Sequence, residues 1–139
     1  MSKEPELSPD REFAGRVMLL LTEMGNSLEG FLGDAGVDPY IVRNTPLATL
    51  LLLRFEGPMR PTVLSQRVGM TTGGMTKVID QLVERELIAR DGELPVDGRA
   101  VVVTITESGT ELADRVCAIS YPVVRDGIDR LSALEDRFT

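Results

Sequence analysis

Residues 57–109 have the sequence GPMRPTVLSQRVGMTTGGMTKVIDQLVERELIARDGELPVDGRAVVVTITESG, and this stretch decides the fold. Pro61 can open a short helix because its fixed backbone angle suits a first helical turn, and Gly69 supplies a left-handed stop. After a turn at residues 70–72, a second amphipathic helix is predicted to run to about Glu86. Two helices joined by a short turn predict a helix-turn-helix.

A β-hairpin is predicted directly after the second helix. Leu87–Arg90 is the first strand, residues 91–98 form a loop with two glycines and a proline, and Ala100–Ile105 is a β-branched return strand. This order of elements is that of a winged helix-turn-helix, in which the hairpin is the wing. The second helix of such a fold enters the major groove of DNA, and the wing reaches the neighbouring minor groove. The predicted fold class is therefore mainly α with a small β-hairpin wing (α+β).

Helices are also predicted on both sides of this segment. Ser8-Pro9 supplies a cap and a first-turn proline for an N-terminal helix, and Thr106 caps a long C-terminal helix. Ser132 and Glu135 have the spacing of a capping box, which predicts one more helix near the end of the chain. These boundaries divide the sequence into three regions, 1–44, 45–106 and 107–139.

The composition argues against several classes of function. The 139 residues include no histidine and one cysteine, Cys117, which disfavours a zinc site, an internal disulfide and most acid–base enzymes. Without a glycine-rich phosphate loop or paired carboxylates, we expect neither an enzyme nor a cofactor. No apolar run has the length of a membrane span, and the N-terminus lacks a signal-peptide pattern, so a cytoplasmic location is expected.

The net charge of −7 is unevenly distributed along the chain. Between Arg54 and Arg99, seven basic residues balance seven acidic ones, so the excess of acid lies in the flanking regions. A neutral segment permits DNA binding, although phosphate contact usually produces a net basic face. We therefore expect modest affinity.

The second helix is the candidate DNA recognition helix. Apolar residues at helical spacing predict its buried side, namely Met75, Val78, Ile79, Leu82 and Val83. Small, hydroxylated and basic residues suited to phosphates and base edges form the other side, namely Thr71, Thr72, Gly73, Gly74, Thr76 and Lys77. Taken alone, the pattern fits an exposed amphipathic helix without a ligand equally well.

Asp97, Gly98 and Arg99 form the candidate DNA site of the wing. A guanidinium at the base of a glycine-rich hairpin can enter the narrow minor groove, and Asp97 can fix its orientation through a charge-assisted pair. The alternative is a surface ion pair that steadies a turn, which the preceding helix-turn-helix makes the weaker interpretation. Candidates for contact with the DNA backbone are Arg60, Arg67 and Arg90.

In these features the chain resembles the MarR family of bacterial winged-helix transcription regulators. The matching segments are GPMRPTVL (57–64), RVGM (67–70), TKVIDQL (76–82) and DGR (97–99), which runs into TITESG (104–109). The resemblance is strong over residues 47–116. It implies a sequence-specific regulator of transcription that binds double-stranded DNA as a symmetric homodimer, with interlocked N- and C-terminal helices and a pseudo-palindromic operator.

The resemblance also implies a repressor that a small, often aromatic ligand releases from DNA. Phe31, Tyr40 and Phe55 are candidates for the ligand pocket, with a place in the hydrophobic core as the favoured alternative. Cys117 invites comparison with oxidant sensors of this kind, but its position in the C-terminal helix favours a buried structural cysteine.

The chain departs from the family pattern at three places. Glu86 occupies a position where a glycine usually ends the recognition helix, so we expect this turn to close differently. Gly73-Gly74 stands where a base-contacting side chain is common, and the C-terminal helix is short, which would reduce the dimer arm. These departures keep a second hypothesis open, a winged-helix module that binds protein and has weak or lost DNA binding.

Overall fold

The computed structural model of the protein describes residues 6–91 and 101–139 in two compact units. One unit combines Met1–Ala35 with Ile119–Thr139, and the other comprises Gly36–Ala118. The helices are α1 (Pro9–Asp34), α2 (Pro39–Val42), α3 (Asn44–Glu56), α4 (Pro61–Val68), α5 (Thr72–Glu84) and α6 (Glu107–Phe138), and the strands are β1 (Ile88–Asp91) and β2 (Val102–Ile105).

Helices α4 and α5 form the expected helix-turn-helix. Helix α4 begins at Pro61 and ends at Gly69, which has a φ of 78° and donates its backbone N–H to the Ser65 carbonyl at 2.9 Å. Glycine adopts a left-handed conformation at little energetic cost, so the residue type at position 69 is enough to end the helix. Thr71 then caps α5, which begins at Thr72 as the sequence predicts.

The two strands pair in antiparallel register, with Ile88 opposite Ile105 and Asp91 opposite Val102. Met59, in the loop before α4, extends this pairing because its backbone exchanges hydrogen bonds of 3.1 and 2.7 Å with Val103. The hairpin is thereby joined to the start of the helix-turn-helix. A mostly helical chain with one antiparallel hairpin confirms the predicted fold class.

A single apolar core fills the unit formed by Gly36–Ala118. Every element of the winged helix-turn-helix contributes to it, and its most buried members are Ile41, Leu50, Leu53, Leu64, Met75, Ile79, Leu82, Ile88 and Val103. Close packing of this kind fixes each helix against its neighbours. Helix α5 is consequently held along its inner side while its outer side faces solvent.

The second unit contains α1 and the C-terminal part of α6. The Phe13 and Phe138 rings lie 5.8 Å apart, and Arg130 forms an ion pair with Glu23. Leu21 and Phe31 lie on α1 at the helical spacing of its apolar residues, yet they are 60% and 55% exposed. Helical spacing identifies such a face but not whether the same chain covers it.

Helix α6 continues without interruption to Phe138 and contains Pro122. The further helix predicted from the capping-box spacing of Ser132 and Glu135 is therefore wrong, since both residues lie inside α6. The segment around them is rich in good helix formers, so extending the existing helix costs less than starting a new one. Over residues 6–91 and 101–139, no helix combines the length and apolar character that crossing a membrane requires.

The turn after α5 retains a left-handed residue although the chain has no glycine there. Glu86 has a φ of 61°, which places a glutamate in the left-handed region. The Glu86 N–H donates to the Val83 carbonyl at 2.9 Å, and the Leu87 N–H donates to the Leu82 carbonyl at 3.0 Å. These hydrogen bonds hold Glu86 in the left-handed conformation, which glycine adopts more readily than other residues do.

Candidate nucleic-acid interface

The first turn of α5 is fixed by its cap and by one further hydroxyl. The Thr71 side-chain oxygen accepts a hydrogen bond from the Gly74 N–H at 3.0 Å, and the Thr76 hydroxyl donates to the Thr72 carbonyl at 3.0 Å. The inner side of the helix is buried at Met75, Val78, Ile79 and Leu82, whereas Val83 is only half-buried. Thus the predicted buried side is confirmed at four positions of five.

The outer side of α5 is formed by Thr71, Thr72, Gly73, Thr76 and Lys77, all of which are exposed. Because helix geometry leaves the first N–H groups without an intrahelical acceptor, this end carries a partial positive charge that favours an anion. Lys77 adds a full charge and makes no ion pair with any residue in the described part of the chain. Small, hydroxylated and basic residues are the types that contact phosphates and base edges.

The adjacent glycines of this helix differ in their surroundings. A Cβ on Gly74 would lie 3.1 Å from both Met70 Cε and Thr71 Oγ1, which is tight against the cap, and Gly74 is half-buried. A Cβ on Gly73 would meet nothing within 4 Å. Folding therefore constrains position 74 and leaves position 73 free, so a larger group at 73 could reach an external partner.

Two of the three arginines predicted to contact the DNA backbone are already paired with carboxylates. Arg67 forms a two-bond fork with Glu56, at 3.1 and 2.7 Å, which raises the pKa of Arg67 through hydrogen bonding and charge. Arg90 on β1 pairs with Asp80 on α5. Arg60, the N-cap residue of α4, makes no ion pair within residues 6–91 and 101–139.

Two further arginines of the same unit also have carboxylate partners, and sequence reasoning missed both pairs. Arg54 Nε lies 2.8 Å from Asp114 Oδ1, and Arg85 Nε lies 2.8 Å from Asp38 Oδ2. Their partners are 60 and 47 residues away, so no local spacing reveals them. Four of the six basic residues that the structure describes between Arg54 and Arg90 are therefore paired with a carboxylate.

The wing candidates Asp97, Gly98 and Arg99 lie outside the described residues. The structure describes β1 up to Asp91 and β2 from Val102, and these strands lead into and out of the segment that contains the three residues. Their assignment to the minor groove remains a prediction from sequence.

The aromatic residues considered for an effector pocket have three different environments. Phe31 belongs to the unit that contains α1, and it is exposed. In the other unit, Phe55 is 64% exposed, and the Tyr40 ring lies 4.5 Å from the Arg85 guanidinium. The alternative assignment of these residues to the core is therefore wrong for Phe31 and Phe55.

Cys117 is half-buried rather than buried, which corrects the expectation for this residue. Among residues 6–91 and 101–139, no cluster of three carboxylate, thiol or imidazole groups could hold a metal ion.

Comparison with known proteins shows that part of this arrangement is similar to a known family. Residues 43–101 match the family model described as MarR. The matched segment is therefore similar to the MarR family over less than half of the chain. The match includes α3, α4, α5 and β1, and it ends just before β2.

Two curated relatives of the chain are named HTH-type transcriptional regulators. One, from Mycobacterium leprae, is 39% identical over 66 residues, which cover 48% of this chain and 46% of the relative. The other, YkoM from Bacillus subtilis, is 32% identical over 79 residues, or 57% of this chain and 48% of the relative. The matched segments thus span about half the length of these relatives, which are regulators rather than enzymes.

Solved MarR-family structures share the fold over most of the chain. AbsC from Streptomyces coelicolor matches 92% of this chain and 84% of its own, with a TM-score of 0.68 and 21% identity. Wild-type MarR from E. coli, in its apo form, matches 86% of this chain and 82% of its own, with a TM-score of 0.63 and 21% identity. At this identity the likeness establishes the winged-helix fold.

Proposed function

We propose that this chain regulates transcription by binding a pseudo-palindromic operator as a homodimer, with α5 in the major groove. The observation that carries the proposal is the division of α5 into a buried inner side and an exposed outer side. A helix that enters a groove needs a rigid attachment behind it and small or hydrogen-bonding residues in front. The exposed outer side of α5 provides such residues, namely Thr72, Gly73, Thr76 and Lys77.

The wing extends the proposed contact to the minor groove. Strands β1 and β2 lead to the segment with Asp97, Gly98 and Arg99, and an arginine is the residue that a narrow, strongly negative groove attracts. Arg60 is the first candidate for the sugar–phosphate backbone because it lacks a carboxylate partner within the described residues. Arg67 and Arg90 would have to leave Glu56 and Asp80 to take this role.

The dimer proposal rests on exposed apolar side chains of the unit that contains α1. Residues 1–44 and 107–139 are the proposed dimerisation regions. The large exposed apolar residues of this unit are Leu7, Met18, Leu19, Leu21, Phe31, Tyr121, Val124, Ile128 and Leu131. Monomeric proteins rarely expose so many large apolar side chains on one small unit, and a second copy of the chain would bury them.

Repression and release by a small aromatic ligand complete the proposal. A dimer bound to an operator blocks access to the DNA that it covers, so repression is the simplest regulatory outcome, and a bacterial regulator of this kind would act in the cytoplasm. The ligand is proposed from family resemblance, with Tyr40 as the remaining half-buried aromatic candidate. Adding salicylate as a model phenolic acid to the preformed complex and measuring dissociation tests this part.

A second function is favoured by the carboxylate-paired arginines. With Arg54, Arg67, Arg85 and Arg90 neutralised by neighbours and a net charge of −7, the domain could instead dock a protein partner. The affinity of such a module for its protein partner would not fall with salt concentration as the affinity for DNA does.

The deciding experiment is fluorescence anisotropy of the purified protein with duplex fragments from the region upstream of its own gene. Binding to one fragment, falling steeply as salt rises and weakened by Arg99→Ala, supports the regulator. Equal and weak binding to every fragment, unaffected by Arg99→Ala, rejects it in favour of the protein-binding module.

A further inference from the structure

The last turn of α5 is tied to α2 through one guanidinium group. Arg85, the C-cap residue of α5, donates from Nε to Asp38 Oδ2 at 2.8 Å and from Nη1 to Gln81 Oε1 at 2.8 Å. Its Nη1 also lies 3.2 Å from the Gln81 carbonyl oxygen, and its Cζ lies 4.5 Å from the centre of the Tyr40 ring. One side chain therefore contacts both helices by several different interactions.

The α2 side of this contact is itself firmly held. Asp38 is the N-cap of α2, and its second carboxylate oxygen accepts the Tyr40 N–H at 2.9 Å. The flanking residues Val37 and Ile41 are 4% and 1% exposed, so they anchor the segment in the core. Arg85 and then the Tyr40 N–H lower the pKa of Asp38 through hydrogen bonds, while Asp38 raises the pKa of Arg85.

The apolar packing of α5 does not extend to its end. Its four buried residues lie between Met75 and Leu82, and the last two positions, Val83 and Glu84, are half-buried and exposed. Beyond them Glu86 holds its left-handed turn into β1. The contact made by Arg85 thus lies between Leu82, the last buried residue of α5, and Leu87 and Ile88, where the chain is buried again at the start of the hairpin.

A lone exposed ion pair contributes little to stability, and this pair is partly exposed. The Arg85 contact differs because a planar guanidinium simultaneously binds a carboxylate, an amide oxygen and an aromatic face, which a lysine cannot reproduce. Arg54 offers an internal comparison. It lies on α3, pairs with Asp114 on α6 and is 5.9 Å from the ring of its neighbour Phe55, so these interactions do not involve α5.

We infer that Arg85, with Asp38 and Tyr40 as its partners, is a positioning residue for DNA binding that sets the orientation of α5 and its exit into the hairpin without touching DNA. This inference rests on the proposed function. According to this inference, the specificity and affinity of DNA binding depend partly on a contact at the C-terminal end of α5. The exposed surface proposed to contact DNA lies at the N-terminal end of the same helix.

The test compares Arg85→Gln, Asp38→Asn, their double variant and Arg85→Lys with the matched control Arg54→Gln. One readout is amide hydrogen exchange at Glu86 and Leu87, whose N–H groups close the end of α5. The other is anisotropy on the operator fragment over a salt series. Exchange needs no DNA, so it remains informative if the proposed function fails.

The expected exchange result is faster exchange at Glu86 and Leu87 in both single variants and in Arg85→Lys. The double variant should be no faster than either single one, because both remove the same contact. Arg54→Gln should leave these two amides unchanged. Equal exchange in wild type and Arg85→Gln would overturn the inference whatever happens with DNA.

The expected DNA result is an affinity about fivefold or more lower for Arg85→Gln and Asp38→Asn, with an unchanged slope of log K against log salt. A direct phosphate contact would instead lower the slope in Arg85→Gln and spare Asp38→Asn, which would overturn the positioning role. If exchange responds as expected but wild type binds no fragment, the proposed function fails and the inferred role in DNA binding fails with it. The tether between α2 and α5 then stands as a structural contact alone.

Discussion

Gly109 in the first turn of α6 lies directly against the carbonyl of Leu87, and a Cβ at residue 109 would be 2.0 Å from that oxygen. The same contact is fixed by Thr106. Its hydroxyl donates to the Glu86 carbonyl at 2.6 Å and accepts the Gly109 N–H at 3.0 Å, and its own N–H donates to the Leu87 carbonyl at 3.0 Å. The Thr-x-x-Gly motif thus joins the turn after α5 and the start of the hairpin to α6.

Replacing Gly109 with alanine should destabilise the protein by about 3 kcal/mol, because backbone atoms of Leu87 block the added methyl group and cannot move independently. Urea unfolding followed by circular dichroism measures the change. Gly73→Ala is the matched control, since its methyl group meets nothing within 4 Å and should raise stability by about 0.5–1 kcal/mol. Equal effects of the two substitutions would contradict the packing argument.

Glu86→Gly should stabilise the protein by about 1 kcal/mol, because a φ of 61° strains a side-chain-bearing residue and not a glycine. The midpoint of urea denaturation reports the change. Glu84→Gly makes the same substitution two residues earlier, in the last turn of α5, and should cost about 1 kcal/mol. A loss of stability in Glu86→Gly would mean that the glutamate side chain has a role that its backbone geometry does not reveal.

Leu21→Glu should convert the proposed dimer to a monomer, because it places a charge among the exposed apolar residues of α1. Sedimentation equilibrium over a range of protein concentrations measures the association. Phe55→Glu is the control, since Phe55 is equally exposed at 64% but belongs to the other unit. A monomeric wild type, or a dimer that Phe55→Glu disrupts and Leu21→Glu does not, would refute this assignment of the interface.

Glu56→Gln should increase affinity for DNA and steepen the salt dependence, because it releases Arg67 from its fork without removing the arginine. Each additional phosphate contact changes the slope of log K against log salt by about 0.9. Glu12→Gln removes the same charge from α1, where it releases Arg16, and should leave the slope unchanged. An unaltered slope in both variants would show that Arg67 does not reach the DNA backbone.

Much of the fold could be predicted because its signals are local. The stop at Gly69 and the cap at Thr106 each act within three or four residues, so their residue types identify them directly. The inner side of α5 follows equally from helical spacing. The same reasoning failed at Ser132, where a capping-box pattern occurs inside a continuous helix, because spacing does not reveal whether a break is needed.

Interactions between distant residues could not be predicted in this way. Arg85 and Asp38 are 47 residues apart, and nothing in either neighbourhood indicates the other. The exposure of Phe31 was also missed, since an amphipathic pattern is identical whether its apolar face packs within the chain or against a second copy. The same limit applies to the candidate site, because the arginines that are available for DNA depend on such long-range pairs.

The most direct test of DNA recognition by α5 is the salt dependence of operator binding by Lys77→Ala, measured by fluorescence anisotropy beside Arg16→Ala on α1. If the outer side of α5 binds DNA, Lys77→Ala lowers the affinity and reduces the slope by about 0.9 for each phosphate that the lysine neutralises, while Arg16→Ala leaves the slope unchanged. Wild-type affinity and slope in Lys77→Ala would contradict the assignment of this surface to the recognition of DNA.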